Sequence, residues 1–233
     1  MKAVILAGGK GTRLKPYTTV IPKPLVPVGE KAILEILLNR LRRDGVEEVF
    51  ICLNHFAEII MAFFGDGSRF GLKIHYSLED EPLGTVGPVK LINGLPDHFL
   101  VMNGDLLTDL PFRSLFDYHL KGNALLTVST FKRKTKIDFG VIDINAATSL
   151  ATGFREKPEY TFDVSMGVYV MNRQVLEFVP PGTLFGFDNL MLTMLEQNRP
   201  VRIFPYQGYW LDIGRPEDYE KAGEDNEKLN SLL

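Results

Sequence analysis

The segment LAGGKGTRLKP (residues 6–16) sets the reading of the whole chain. The apolar run KAVILA (2–7) reads as a buried strand, and it enters a turn with glycines at 8, 9 and 11. A buried strand that ends in a glycine turn is a ligand site of α/β sheets, which bind beyond the carboxyl ends of their parallel strands. The dinucleotide fingerprint G-x-G-x-x-G is not met: Gly9 and Gly11 fit, but Leu14 stands at the third position. The P-loop spacing G-x-x-x-x-G-K-[ST] is absent too. A plain strand-to-helix turn accounts for the glycines, but not for Lys10, Thr12, Arg13 and Lys15 in the same turn. Bare backbone N–H groups approach an anion closely, and an arginine offers a two-pronged fork to phosphate. The segment therefore reads as a phosphate cradle of another kind.

Outward from it, strands alternate with helical periodicity. The spacing predicts a helix over 30–44, with Ile33, Ile36, Leu37 and Leu41 on one face and Gly45 as its stop. Strands are expected at 48–53, 72–77 and 98–105, and helices at 56–64 and 86–93. The second half is richer in strands, at 124–131, 139–144, 152–156 and 164–171. A helix follows over 188–197. Pro216 opens a last polar helix, with Glu217 and Asp218 suited to its first turn, that frays toward the C-terminus. This order implies a mixed, mostly parallel sheet flanked by helices, in one domain, with its site where strands end.

Composition narrows the class. The chain has 233 residues and a net charge of -3, so no global field draws nucleic acid or an anionic membrane. The basic run at Lys132, Arg133, Lys134 and Lys136 reads as a solvated loop. Cys52, the single cysteine, sits in VFICL and reads as a small buried hydrophobe. One cysteine forms no intrachain disulfide, which fits a reducing, cytoplasmic location. No apolar run is long enough for a membrane span or signal segment. His55, His75, His98 and His119 lack metal-ligand spacing, and no Ser/His/Asp arrangement stands out.

In IPKPLVPVGEK (21–31) prolines flank Lys23 and fix its direction; a second phosphate contact and a solvated loop residue are both open readings. Together, LAGGKGTRLKPYT and PKPLVPV resemble the sugar-phosphate nucleotidyltransferases, the sugar-nucleotide pyrophosphorylases. Further family-like pieces recur in order: GDGSRFG (65–71), EPLGTVG (81–87), VMNGD (101–105), DFGV (138–141), REKP (155–158), MGVYV (166–170) and WLDIG (210–214). The resemblance implies a Rossmann-like α/β nucleotidyltransferase domain over 1–233. Residues 1–110 would chiefly serve the nucleotide, and 111–233, with a small β-rich part, the sugar phosphate. The stretch ends about where the family's catalytic domain ends, so an appended β-helix or second activity is not expected.

What the resemblance implies for residues is specific. Ala7, Gly8, Gly9, Gly11, Thr12, Arg13 and Asn103 would line the nucleotide. Glu81, Pro82, Gly84 and Thr85 would run along its base; by themselves they read as an ordinary turn before a capping threonine. Asp105, after the apolar strand, and Asp212, among apolar neighbours in GYWLDIG, would hold Mg²⁺ as a pair; each also reads as a capping aspartate. Glu156 would accept sugar hydroxyls, Lys157 would meet the sugar phosphate with Lys23, and Gly140 and Gly167 would offer backbone contacts, their plain reading being a bulge or close strand packing. Neighbours on a strand point to opposite faces, so Glu156 and Lys157 share a ligand only if the strand ends there, as Pro158 encourages. Arg13, Lys23, Asp105, Lys157 and Asp212 form the expected catalytic set.

The implied reaction joins an NTP and a sugar 1-phosphate into an NDP-sugar and pyrophosphate. The partners are those two substrates, with no nucleic acid and no membrane, and a homo-oligomer is compatible with the family. EPLGT lacks the glutamine common near the base turn of thymidylyltransferases. The chain looks more like mannose- and heptose-1-phosphate guanylyltransferases, so GTP is the expected nucleotide; uridylyl-, thymidylyl- or cytidylyl transfer to another sugar 1-phosphate is the alternative. A catalytically inactive regulatory subunit is the competing class, disfavoured because all five catalytic positions are filled. A nicotinamide oxidoreductase is disfavoured by Leu14 and by the proline-rich stretch where an acidic residue would be needed.

Overall fold

The computed structural model describes residues 1–225. Strand β1 (Lys2–Leu6) buries Ala3, Val4 and Ile5 completely, as a central strand covered on both faces must. After the glycine loop, β2 (Pro27–Val28) and β3 (Lys31–Ala32) form a short hairpin that leads into α1 (Ile33–Arg43). Helix α1 has no side-chain cap at its start, yet buries six apolar side chains. At about 1.5–3 kcal/mol each, that burial far outweighs a cap worth ~1 kcal/mol.

Next come β4 (Glu48–Leu53), α2 (Ala57–Phe64), β5 (Lys73–Leu78), β6 (His98–Asn103), the short β7 (Leu106–Thr108) and α3 (Phe112–Lys121). The second half holds β8 (Leu126–Lys136), β9 (Val141–Asn145), β10 (Leu150–Arg155), β11 (Glu159–Asn172), α4 (Phe187–Glu196), β12 (Val201–Tyr206), β13 (Trp210–Asp212) and α5 (Pro216–Glu224).

Seven strands form one sheet in the order β12-β8-β11-β6-β1-β4-β5. Strand β1 runs parallel to β4 and β6, β4 to β5, and β8 to β12, whereas β11 is antiparallel to both neighbours. The sheet is thus mixed and mostly parallel, in a Rossmann-like α/β fold. Alternate residues feed two cores: Ile5, Ile51, Leu100 and Met102 on one face, Val4, Phe50, Cys52 and Val101 on the other. Leu6 lies in register with Cys52 and Asn103, so the carboxyl ends of β1, β4 and β6 finish together.

Several expectations need correction. The helix expected over 86–93 is a 3-10 turn, Gly87–Leu91: its bonds span three residues, the Val89 N–H reaching the Val86 carbonyl at 3.0 Å and the Ile92 N–H the Val89 carbonyl at 3.3 Å, while the Val86 and Gly87 N–H groups bond the Phe185 carbonyl. The helix expected from residue 30 starts at Ile33, its first residues being spent on β3. The basic run 132–136 is not a loop. It lies on β8, where alternate lysines pair with acids of β11: Lys132 with Asp163 (3.3 Å) and Lys134 with Glu159 (2.8 Å). Helix α3 was not expected, although Phe112, Leu115 and His119 recur at helical spacing and are buried. The short strands β7 and β13 were also missed, since three residues carry no periodicity. The fraying expected beyond α5 lies outside the described residues.

Candidate active site

A cavity of about 540 Å³ opens at the joint ends of β1, β4 and β6, within the usual range for small-molecule sites. One wall is the glycine loop from Ala7 to Arg13; beside it stand Lys23 and, from the end of β6, Asn103 and Asp105. Pro82, Gly84 and Thr85 complete the wall.

Each part has a local reason for its shape. Gly11 adopts a left-handed backbone (φ +61), and a Cβ there would sit 3.0 Å from the Thr18 methyl group and 3.3 Å from Lys23. Its carbonyl accepts the Thr18 hydroxyl at 2.7 Å and the Leu14 N–H at 3.0 Å, so the loop is pinned from below. The 82–85 turn is held by a segment about a hundred residues away. Phe185 donates its N–H to the Leu83 carbonyl (2.9 Å), and Thr85 Oγ1 accepts the N–H of Phe187, the first residue of α4, at 2.8 Å. Thr85 does cap a helix, but a distant one rather than the next in sequence.

The two aspartates meet through the short strands. β7 begins just after Asp105 and pairs antiparallel with β13, setting Asp212 opposite Leu106. The Ile213 N–H reaches the Asp105 carbonyl at 3.1 Å. Asp105 forms an ion pair with Lys23 through Oδ2, while its buried Oδ1 has no hydrogen-bond partner among the described residues. Burial, and then the negative charge of Asp105, push the Asp212 carboxyl above its usual range; Lys23 and Arg13 pull the other way. Two carboxylates in one half-buried place, one oxygen orphaned, suit a hard divalent cation. No group of three or more His, Cys, Asp or Glu side chains that could hold a metal occurs among the described residues. A pair of carboxylates is what Mg²⁺ needs when substrate phosphates complete its shell.

Of the residues expected for the sugar phosphate, Lys23 stands on the cavity wall, whereas Gly140, Glu156, Lys157 and Gly167 lie outside it, as do Glu81, which is exposed, and Asp212. Gly140 and Glu156 lie together: a Cβ on Gly140 would meet the Phe154 ring at 2.6 Å and Glu156 Oε2 at 3.3 Å. Strand β10 ends at Arg155, and Lys157 turns in the left-handed region (φ +43) before Pro158, so neighbouring side chains escape strict alternation. Gly167 (φ +71) sits in a bulge where residues 166–168 of β11 face Ser129 alone. A Cβ there would lie 2.6 Å from Asn103 Nδ2, which ties the bulge to the cavity rim.

Sequence reasoning missed Glu79, Asn54 and Leu184 on the wall. Glu79 is half-buried beside Gly8; its Oε2 accepts the Leu83 N–H at 2.9 Å, and burial raises its pKa. Its signal was the acid two residues before EPLGT. Leu184 had no signal, because it arrives from the far half of the chain. Cys52 is buried as expected, its thiol pushed up to about 12 by burial and by the Glu79 charge.

The family model for nucleotidyl transferases matches residues 2–228. The chain belongs to this family. A mannose-1-phosphate guanyltransferase of Yarrowia lipolytica is 33% identical over 226 residues, covering 94% of this chain and 62% of the relative. A UTP--glucose-1-phosphate uridylyltransferase of Synechocystis is 32% identical over 242 residues, covering 95% and 62%. The chain thus spans about three fifths of the length of the curated relatives it matches. The solved structure of HddC from Yersinia pseudotuberculosis, complexed with GMP-PN, superposes with a TM-score of 0.73 at 29% identity, covering 97% of this chain and 99% of that one. Near-equal identity to guanyl- and uridylyltransferases means that overall likeness does not choose the base. Among the described residues no helix is long and apolar enough to cross a membrane.

Proposed function

We propose that this nucleotidyl transferase family member joins an NTP and a sugar 1-phosphate into an NDP-sugar and pyrophosphate, with GTP and mannose- or heptose-1-phosphate as the substrates. The observation that carries the reading is one cavity whose wall combines bare loop backbone, Arg13, Lys23, Asp105, Glu79 and the 82–85 turn. Residues 1–110 serve mainly the nucleotide and 111–233 mainly the sugar phosphate. Glu81 marks the outer end of the base turn.

A phosphate monoester has a second pKa of about 6, so the attacking oxygen is anionic near neutrality and no protein base is needed. Its lone pair forms the new bond to the α-phosphorus, and the α–β bridging oxygen departs with the old bonding pair, as pyrophosphate. The difficulty is bringing two polyanions together. Arg13 would meet the charge building toward the departing pyrophosphate, and Lys23 and Lys157 the sugar phosphate, which screens charge and sets the line of attack. Asp105 and Asp212 would hold Mg²⁺, which supplies Lewis-acid stabilisation of phosphoryl charge when bound. The free oxygen of Glu79 supports guanine: a carboxylate accepts readily from the adjacent N1–H and amino donors of guanine, whereas the single N3–H of uracil or thymine lies between two repelling carbonyl oxygens.

The test is pyrophosphate release with Mg²⁺ across GTP, UTP, dTTP, CTP and ATP against a panel of sugar 1-phosphates. One strongly preferred pair containing GTP is expected. Preference for UTP or dTTP would overturn the guanine reading alone. No release with any pair, from protein that still binds nucleotide, would favour a regulatory relative.

A further inference from the structure

Three cations stand on the cavity wall, and they are not equivalent. Lys23 is neutralised by its ion pair with Asp105. Arg13 lies over Gly214, where its charge is felt by Asp212. Lys10 has no ion-pair or hydrogen-bond partner among the described residues and is exposed at the cavity. Its neighbour Gly11 is pinned through its carbonyl by the Thr18 hydroxyl and the Leu14 N–H. The two positions before it, Gly8 and Gly9, carry no side chain, so Lys10 is the first side chain that an anion lying along the loop would meet.

We propose that Lys10 is a further catalytic residue that binds the terminal phosphates of the NTP and hence the pyrophosphate that leaves. The inference rests on the nucleotidyl-transfer reading above. An ammonium on a flexible four-carbon stem is a point charge that can follow a departing group. Because Asp105 compensates Lys23, an uncommitted Lys10 supplies net positive charge to the cavity. A merely solvated lysine would need no place on the cavity wall.

The experiment is isothermal titration of magnesium pyrophosphate, and separately of GDP-mannose, into the unmutated chain, Lys10→Ala and Lys10→Arg. One charge-assisted contact predicts a roughly 10- to 100-fold weaker pyrophosphate affinity in Lys10→Ala. Affinity for the nucleotide sugar, which lacks those phosphates, should be unchanged, and Lys10→Arg should restore most of the loss. Equal pyrophosphate affinity in all three proteins would overturn the inference. So would a parallel loss for both ligands, which would mark a loop disturbed as a whole. If the unmutated chain binds pyrophosphate through Lys10 but turns over no substrate pair, the functional reading fails and the assignment of Lys10 as a pyrophosphate ligand stands.

Discussion

At the residue scale the acidic pair carries the sharpest consequences. Asp212 is held above its ordinary range by burial and by Asp105, so its charged form is disfavoured in the fold. A group with a raised folded pKa loses stability as pH rises from its unfolded value through the folded one, so at neutral pH Asp212 destabilises the protein. Asp212→Asn should therefore raise the Tm measured in EDTA while cutting turnover by about 10³-fold, the scale of several kcal/mol of lost metal stabilisation. A lower Tm with turnover retained would remove the carboxylate from the site. Lys157 makes a different claim. Lys157→Ala should raise KM for the sugar 1-phosphate about tenfold or more and leave KM for the NTP unchanged. Because Lys157 occupies the left-handed region, Lys157→Asn is the control: asparagine tolerates that backbone, and an equal loss would assign the effect to charge rather than strain.

At the scale of elements, helix α4 depends on a residue from the other half of the chain. Its start has Gly186, without a side chain, and borrows the Thr85 hydroxyl for the Phe187 N–H. Thr85→Ala should cost about 1 kcal/mol, a fall of roughly 2–4 °C in Tm for a chain of this size. KM for the NTP should rise in the same variant, because the turn on the cavity wall loses an anchor. A changed Tm with an unchanged KM would separate the cap from the site. The same interaction explains why α4 was legible from its apolar spacing while its role beside the cavity was not: the donor and acceptor lie 102 residues apart.

At the scale of the whole molecule, a buried polar chain fastens α3 to the sheet. His119 Nδ1 lies 2.8 Å from Thr127 Oγ1, and its Nε2 lies 3.0 Å from His98 Nδ1. Burial first, and then the nearby charges of His98 and Arg202, hold the His119 pKa down to about 4. A depressed histidine contributes stability that is present above its unfolded pKa and lost as pH falls toward the folded one. Stability should thus fall on the order of 2 kcal/mol between pH 6.5 and 4, once solvent screening is allowed for. Urea midpoints across that range would check it, and His119→Gln should flatten the slope. An unaltered slope in that variant would assign the acid sensitivity to other groups.

Local order determined much of this protein from the sequence alone. A buried strand run into glycines, apolar faces at helical spacing, and a proline beside acids at the last helix each express a preference of a few neighbouring residues, so β1, α1 and α5 were legible. So were the loop cations and both aspartates, as residue types. Tertiary structure alone decided which of them meet. Asp212 joins Asp105 only because two three-residue strands pair across about a hundred residues. The basic run on β8 became an ion-paired ladder because β11 returned beside it. Glu79 became a wall of the cavity when β4 and β5 were set side by side. Such contacts are long-range, and the free energy that fixes them comes from burying the sheet as a whole rather than from any segment that could be read by itself.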